Sequence, residues 1–263
     1  PRAYAALLSA LYLPVLALLI GLVFRGVAFE FRFKAHRSRR LWSVAFAGGS
    51  LLAAFAQGVI LGAIVEGRAV VEGLAGGAVT PWFSPFSMLT GAAVVTGYAL
   101  LGSTWLILKT GGREQAIARG LARPLLVAVL AFIGLVSAWL PFLQSRVMER
   151  WFGDASFLWL SPVPLLTVLV AVVHWRSTVR GRHDAAPFLL SLALFVLCFI
   201  GLVVGIWPWL LPPTMTLWEA SAPVSSQGFS MVGLALMLPV ILGYTAWSYR
   251  VFRGKLEAGQ GYH

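Results

Sequence analysis

Gln57 is the residue whose type least fits its neighbours. It stands in A-A-F-A-Q-G-V-I-L-G-A-I-V-E-G, residues 53–67, in the middle of a long apolar run. A carboxamide there has two uses. It can glue helices together by hydrogen bonding, and Gly58 and Gly62 follow in the G-x-x-x-G spacing that admits a close neighbour. Alternatively, it can orient water in a proton or quinone pathway. Glue is the plainer reading. Glu66 ends the same run. It reads either as a solvated loop acid or as a proton-handling group near a redox site on that side.

The second polar feature is G-L-V-F-R-G-V-A-F-E-F-R-F-K, residues 21–34. Arg25, Phe29 and Arg32 fall at i, i+4 and i+7, on one side of a helix that continues past its apolar part. Glu30 and Lys34 stand at i, i+4 in the favourable order for an ion pair. The expected arrangement turns the phenylalanines inward and the cations toward lipid phosphate or a partner. Snorkelling at a membrane edge also accounts for Arg25. A third stretch, P-F-S-M-L-T-G-A-A-V-V-T-G-Y-A-L-L-G-S-T-W, carries Ser87, Thr90, Gly91, Thr96, Gly97 and Tyr98, a pattern of close helix packing.

Groups for other chemistry are scarce. His36, His183 and His263 fall in loops and the tail, and His174 stands at the end of an apolar run beside Trp175 and Arg176. No two histidines share a run, so a haem or chelated metal is not expected in this chain. Cys198 is the single cysteine, which leaves no intrachain disulfide. There is no Ser-His-Asp set, P-loop or glycine-rich nucleotide fingerprint.

The elements that must position these groups are membrane helices. The chain of 263 residues is 59% hydrophobic and 11% charged, against about a quarter charged in a soluble domain. Its mean hydropathy is +0.86. A spanning helix needs about 20 apolar residues to cross roughly 30 Å. Seven stretches qualify: 5–24, 41–65, 85–108, 125–143, 157–174, 187–207 and 229–249. Pro14 and Pro239 sit inside spans, where a kink is tolerated.

The net charge of +11 is laid out by side. Most of the 20 Lys and Arg residues lie in 25–40, 109–123, 176–184 and 250–263, and only Arg2, Arg68, Arg146 and Arg150 lie in the alternate connections. That asymmetry predicts basic loops in the cytoplasm, the N-terminus outside and the C-terminus inside. It also argues against a nucleic-acid partner, because the cations are spread over four loops. Trp42, Trp105, Trp139, Trp159, Trp175, Trp207, Trp209 and Trp247 fall near proposed helix ends, at headgroup level. The reading is one all-α, polytopic helical bundle, a single membrane domain over 1–263. The chain opens with Pro1, without the pattern of a signal peptide, and a clipped N-terminus is expected.

Several stretches in order, G-L-V-F-R-G-V-A-F-E-F-R (21–32), F-A-Q-G-V-I-L-G-A-I-V-E-G (55–67), residues 80–110, T-L-W-E-A-S-A-P (216–223) and residues 238–255, resemble subunit II of the cytochrome bd quinol oxidases, of the cyanide-insensitive branch. The resemblance implies a quinol:oxygen oxidoreductase of the bacterial inner membrane that builds a proton gradient in the aerobic respiratory chain. It implies that haems b and d belong to a partner, subunit I, with quinol and oxygen as substrates of the complex. It leaves room for a bound quinone and a small single-helix accessory subunit. Family members carry roughly two further helices upstream, with acidic residues and a W-D-G-N motif that nothing here matches. The resemblance makes Arg25, Glu30 and Arg32 a structural and inter-subunit signature, and adds Trp218 and Glu219 to Gln57 and Glu66 as candidate proton-path or inter-subunit residues. A secondary transporter and an assembly or scaffold protein stay open as alternatives; the lack of midplane charges and paired broken helices speaks against the transporter.

Overall fold

The computed structural model describes residues 2–67, 80–152, 160–252 and 254–255. The expected fifth-span start at Phe157, with Trp159, lies outside them, as do Arg68, Arg253 and His263. The elements are α1 (Arg2–Lys34), α2 (Arg39–Glu66), α3 (Pro85–Lys109), α4 (Gly112–Leu143), α5 (Ser145–Phe152), α6 (Pro162–Arg180), α7 (Ala185–Ile206), β1 (Trp209–Leu211), β2 (Met215–Thr216), α8 (Leu217–Ala220) and α9 (Val224–Val251). All seven expected spans are present as helices long and apolar enough to cross a membrane. The two strands form a small antiparallel ribbon after α7.

Two helices run further than the apolar runs alone imply. α1 continues to Lys34, as expected. α4 begins at Gly112, so the stretch expected as the loop 109–123 is mostly helix. Ala118 and Ala122, one turn apart, are buried with Ile107 and hold that extension against the end of α3. α1 is broken at Leu11, where φ is −116° and ψ 17°. Pro14 lies three residues on, and it lacks the N–H that would bond the Ala10 carbonyl.

Packing rests on small residues. α1 and α2 cross at Gly21 and Gly49, where a Cβ on either would meet the other's carbonyl oxygen at 2.7 and 2.6 Å. α2 meets α3 at Gly58, Gly62 and Gly91: a Cβ on Gly58 would strike the Thr90 carbonyl, one on Gly62 the Thr90 hydroxyl, and one on Gly91 the Phe55 ring at 2.7 Å. The G-x-x-x-G spacing therefore seats a neighbour as read from the sequence. Thr90 Oγ1 adds a bond across the seam by donating to the Gly58 carbonyl at 2.9 Å. α3 then packs on α4 and α7, with Leu100, Leu126, Val129 and Leu194 at the centre. Outside these seams large apolar side chains face outward, as a lipid-solvated bundle requires.

The caps are local. Ser84 and Ser87 form a reciprocal capping box before Pro85 at the start of α3. Gly67 closes α2 in a left-handed conformation with φ 75°, its N–H bonding the Ala63 and Ile64 carbonyls.

Candidate functional site

Four polar assemblies punctuate the bundle, and the sequence-derived candidates divide among them. The first lies midway along α3 and about two-thirds of the way along α2. The Tyr98 hydroxyl of α3 donates to Gln57 Oε1 of α2 at 3.0 Å. Both side chains are exposed, and the Tyr98 ring stacks on Phe195 of α7 at 6.1 Å and 9° between planes. Gln57 does join two helices, as its plainer reading held. Tyr98, read as packing, does stack on α7 but keeps an exposed edge, while Ser87, Thr90, Gly91 and Gly97 are buried.

The second assembly closes the end of α2 opposite the basic loops. Ser84 Oγ donates to Glu66 Oε2 at 2.5 Å and accepts from the Ser87 backbone N–H at 3.0 Å. Gln144 Nε2, just past α4, donates to the Val65 and Glu66 carbonyls at 3.3 and 3.1 Å. Glu66 is half-buried. Its plain reading as a solvated loop acid is corrected: the carboxylate ties α2 to α3 beneath the capping box, because Gly67 turns the chain sharply there. Beside it, a cleft of about 480 Å³ opens between Gln144, Glu149, Trp207 and Trp209. Trp218 stands edge-on to Trp207 at 5.6 Å. Glu219 Oε2 accepts from the Thr216 backbone N–H at 2.8 Å and its hydroxyl at 2.9 Å. The backbone N–H, then the hydroxyl, hold the Glu219 carboxyl below its usual range. Glu219 thus caps α8, and Trp218 stays on the surface.

The third lies at the basic end. Asp184, before α7, pairs with Arg119 of α4 and with Lys255 at 2.5 Å. Burial alone would raise the Asp184 carboxyl, but Lys255, Gln115 and Arg119 outweigh it and hold the group below its ordinary value. Lys109 sits 5.3 Å over the Trp105 ring and donates to the Phe252 carbonyl at 2.8 Å. On α1, the Arg25 guanidinium lies 6.0 Å from the Phe46 ring centroid of α2. The expected Glu30–Lys34 pair is not formed, and Glu30 and Arg32 make no ion pair among the described residues. Nor do the phenylalanines turn inward: Phe29, Phe31 and Phe33 are each at least half exposed. Among the described residues the ring contacts of this part of α1 with another helix are to the start of α2, Phe29 to Phe46 and Phe31 to Trp42.

The fourth was missed. His174 is fully buried, not at a boundary. Its Nε2 lies 2.9 Å from Ser191 Oγ of α7 and its Nδ1 3.4 Å from Thr178 Oγ1. Ser191 donates to the Pro187 carbonyl at 2.9 Å, so it accepts from Nε2–H, and Thr178 faces the unprotonated Nδ1. Thr104 of α3 lies 3.3 Å from Ser191 and extends the network. The signal was the buried stripe Ala171, His174, Thr178 at helical spacing. With Nε2 bonded to Ser191 and the ring fully enclosed in a packed seam, His174 does not fit an axial haem ligand. Among the described residues no three His, Cys, Asp or Glu side chains gather for a metal.

Known proteins are similar to this chain in sequence. The family described as cytochrome bd terminal oxidase subunit II matches residues 1–252. Cytochrome bd ubiquinol oxidase subunit 2 of Bacillus subtilis is 29% identical, over 98% of this chain and 77% of its own length. Cytochrome bd-I ubiquinol oxidase subunit 2 of Escherichia coli K12 is 26% identical, over 97% and 77%. A probable cytochrome oxidase subunit 2 of Haemophilus influenzae is 23% identical, over 98% and 77%.

Proposed function

Because the chain belongs to the cytochrome bd terminal oxidase subunit II family, we propose that it is the non-haem subunit of a quinol:oxygen oxidoreductase in a bacterial inner membrane. The match across residues 1–252 carries this reading. In it, the haem-bearing subunit I holds haems b and d, oxidises quinol and reduces oxygen. This chain packs beside it and keeps the reaction centre away from water. The basic loops lie in the cytoplasm, by the charge asymmetry of the connections.

The arrangement of side chains supports a supporting role. His174 is committed to hydrogen bonds that hold α3, α6 and α7 together, so no haem step is assigned to it. In this reading Glu66, at the end of α2, and Gln57, about two-thirds of the way along it, are the candidate polar groups of a hydrated proton route. Both also bind a neighbouring helix, and a proton role would be added to that one.

The test is affinity purification of the tagged chain from membranes of its own host. A haem-bearing polypeptide and quinol-dependent oxygen uptake are expected in the same fraction. A chain that never brings down a haem protein contradicts the proposal.

A further inference from the structure

Among the described residues α6 is the shortest of the seven spans, with 19 residues or about 28 Å of helix. Its outward face is a single stripe at helical spacing: Leu165, Leu169, Val172, Arg176 and Arg180. The three apolar members are 67%, 56% and 43% exposed, and both arginines are exposed. Leu165 lies about 16 Å along the axis from Arg176, close to the depth of one leaflet, half of roughly 30 Å. The stripe is therefore hydrocarbon for one leaflet and ends in two guanidinium groups one turn, about 6 Å, apart.

Neither guanidinium has an acid to meet. Arg176 and Arg180 make no ion pair or side-chain hydrogen bond among the described residues. Asp184, just beyond α6, is already engaged by Arg119 and Lys255. Arg182 adds another cation to the same connection. The charge asymmetry of the connections puts this end at the cytoplasmic face, level with the inner-leaflet phosphates. A guanidinium at the hydrocarbon edge reaches out for phosphate oxygen, and basic clusters at this side of spanning helices attract anionic headgroups. The outward stripe of α7, Leu189, Leu192, Val196, Phe199 and Val203, offers the same hydrocarbon and no cation.

We propose that the outward face of α6 binds an anionic phospholipid of the inner leaflet, with an acyl chain along Leu165, Leu169 and Val172 and the phosphate held between Arg176 and Arg180. Charge decides the occupant. An apolar helix laid on the stripe would leave two cations unpaired, whereas a lipid supplies tail and phosphate in the order in which the stripe presents their partners. A headgroup with net negative charge is preferred to a zwitterionic one, whose ammonium would face two like charges. The proposal stands apart from the oxidase-subunit reading and needs only that the chain spans a membrane.

The test uses the protein purified from its host membranes with whatever partners it brings. Phosphatidylglycerol and phosphatidylcholine, each with a diazirine on one acyl chain, are added in mixed micelles and irradiated, and the labelled positions are mapped. The phosphatidylglycerol probe should label residues 165–172 at least fivefold more than the phosphatidylcholine probe. Arg176→Gln with Arg180→Gln should cut that labelling at least tenfold, at about fivefold for each cation. R37Q/R39Q removes the same charge from the connection before α2 and should change it less than twofold. Equal labelling by the two probes overturns the proposal, as does an equal loss in R37Q/R39Q. No labelling by either probe means that a protein covers the stripe, which also overturns it. So does displacement of the probe by inorganic phosphate as readily as by unlabelled phosphatidylglycerol, the sign of a soluble anion. If R176Q/R180Q does not fold, competition on the unmodified protein decides. Unlabelled phosphatidylglycerol must then displace the probe at a concentration at least fivefold lower than phosphatidylcholine does, and equal displacement contradicts the proposal.

Discussion

The seam between α2 and α3 and the surface of α9 are both built from apolar residues and glycine, yet they are opposites. At the seam, Gly58, Gly62 and Gly91 bring two backbones together, and Thr90 bonds across them. α9 has no buried residue along Val224–Val251, and nothing lies within 4 Å of the Cβ that Gly228, Gly233 or Gly243 lacks. Among the described residues its polar and ring contacts with other helices lie at its basic end: Tyr249 on Trp105, Lys109 on the Phe252 carbonyl and Lys255 on Asp184. The lesson is that glycine spacing alone does not mark a seam. What distinguishes the first is a hydroxyl or ring on the facing helix, seated where the missing side chain would be.

Leucine at Gly58 should break the comparison most sharply. Its Cβ would run into the backbone of Thr90 and Gly91, which cannot swing aside, so a cost of about 3 kcal/mol or more is expected. Leucine at Gly243 should change stability by less than about 0.5 kcal/mol. Thermal unfolding in detergent, followed by size-exclusion fluorescence, compares the two. Loss of the α3–α6–α7 network comes next. His174→Leu removes the ring donor to Ser191, leaving only the longer Thr104 contact at 3.3 Å, and should cost about 1–3 kcal/mol in the same assay. Thr90→Val keeps the shape of the α2–α3 seam and removes its hydrogen bond, for about 0.6 kcal/mol.

The clamp on α9 gives a small effect too. Asp184→Asn should loosen the last turn of α9 by less than about 1 kcal/mol, since the pair is partly exposed. Acid should do the same. The Asp184 carboxyl is depressed in the folded chain, so its contribution is complete above the ordinary carboxylate value, about pH 4, and is lost as pH falls through the lower folded value. Amide exchange across residues 248–252 should therefore be unchanged from pH 8 to 5 and quicken, relative to the intrinsic rate, only in stronger acid.

Much of this fold was legible because lipid demands length. Twenty apolar residues in a row leave little choice of element, and all seven spans followed. The close approach at Gly58 and Gly62 was legible too, because spacing and residue size are local properties. What escaped depends on the partner across a seam. Arg113 to Arg123 looked like a charged loop until Ala118 and Ala122 found Ile107. His174 looked like a boundary residue because Trp175 and Arg176 flank it, yet they point to other faces of the same turn. The phenylalanines of α1 were turned the wrong way, since inward burial is a rule for water and not for a membrane edge. Gln57 and Tyr98 are 41 residues apart, and nothing local announces their bond.

The most direct test of the account is the reduced-minus-oxidised absorption spectrum of the purified polypeptide, per mole of chain, alone and with its co-purified partner. The account predicts haem bands only in the complex, with the isolated chain spectrally empty. Stoichiometric haem on the isolated chain would contradict it.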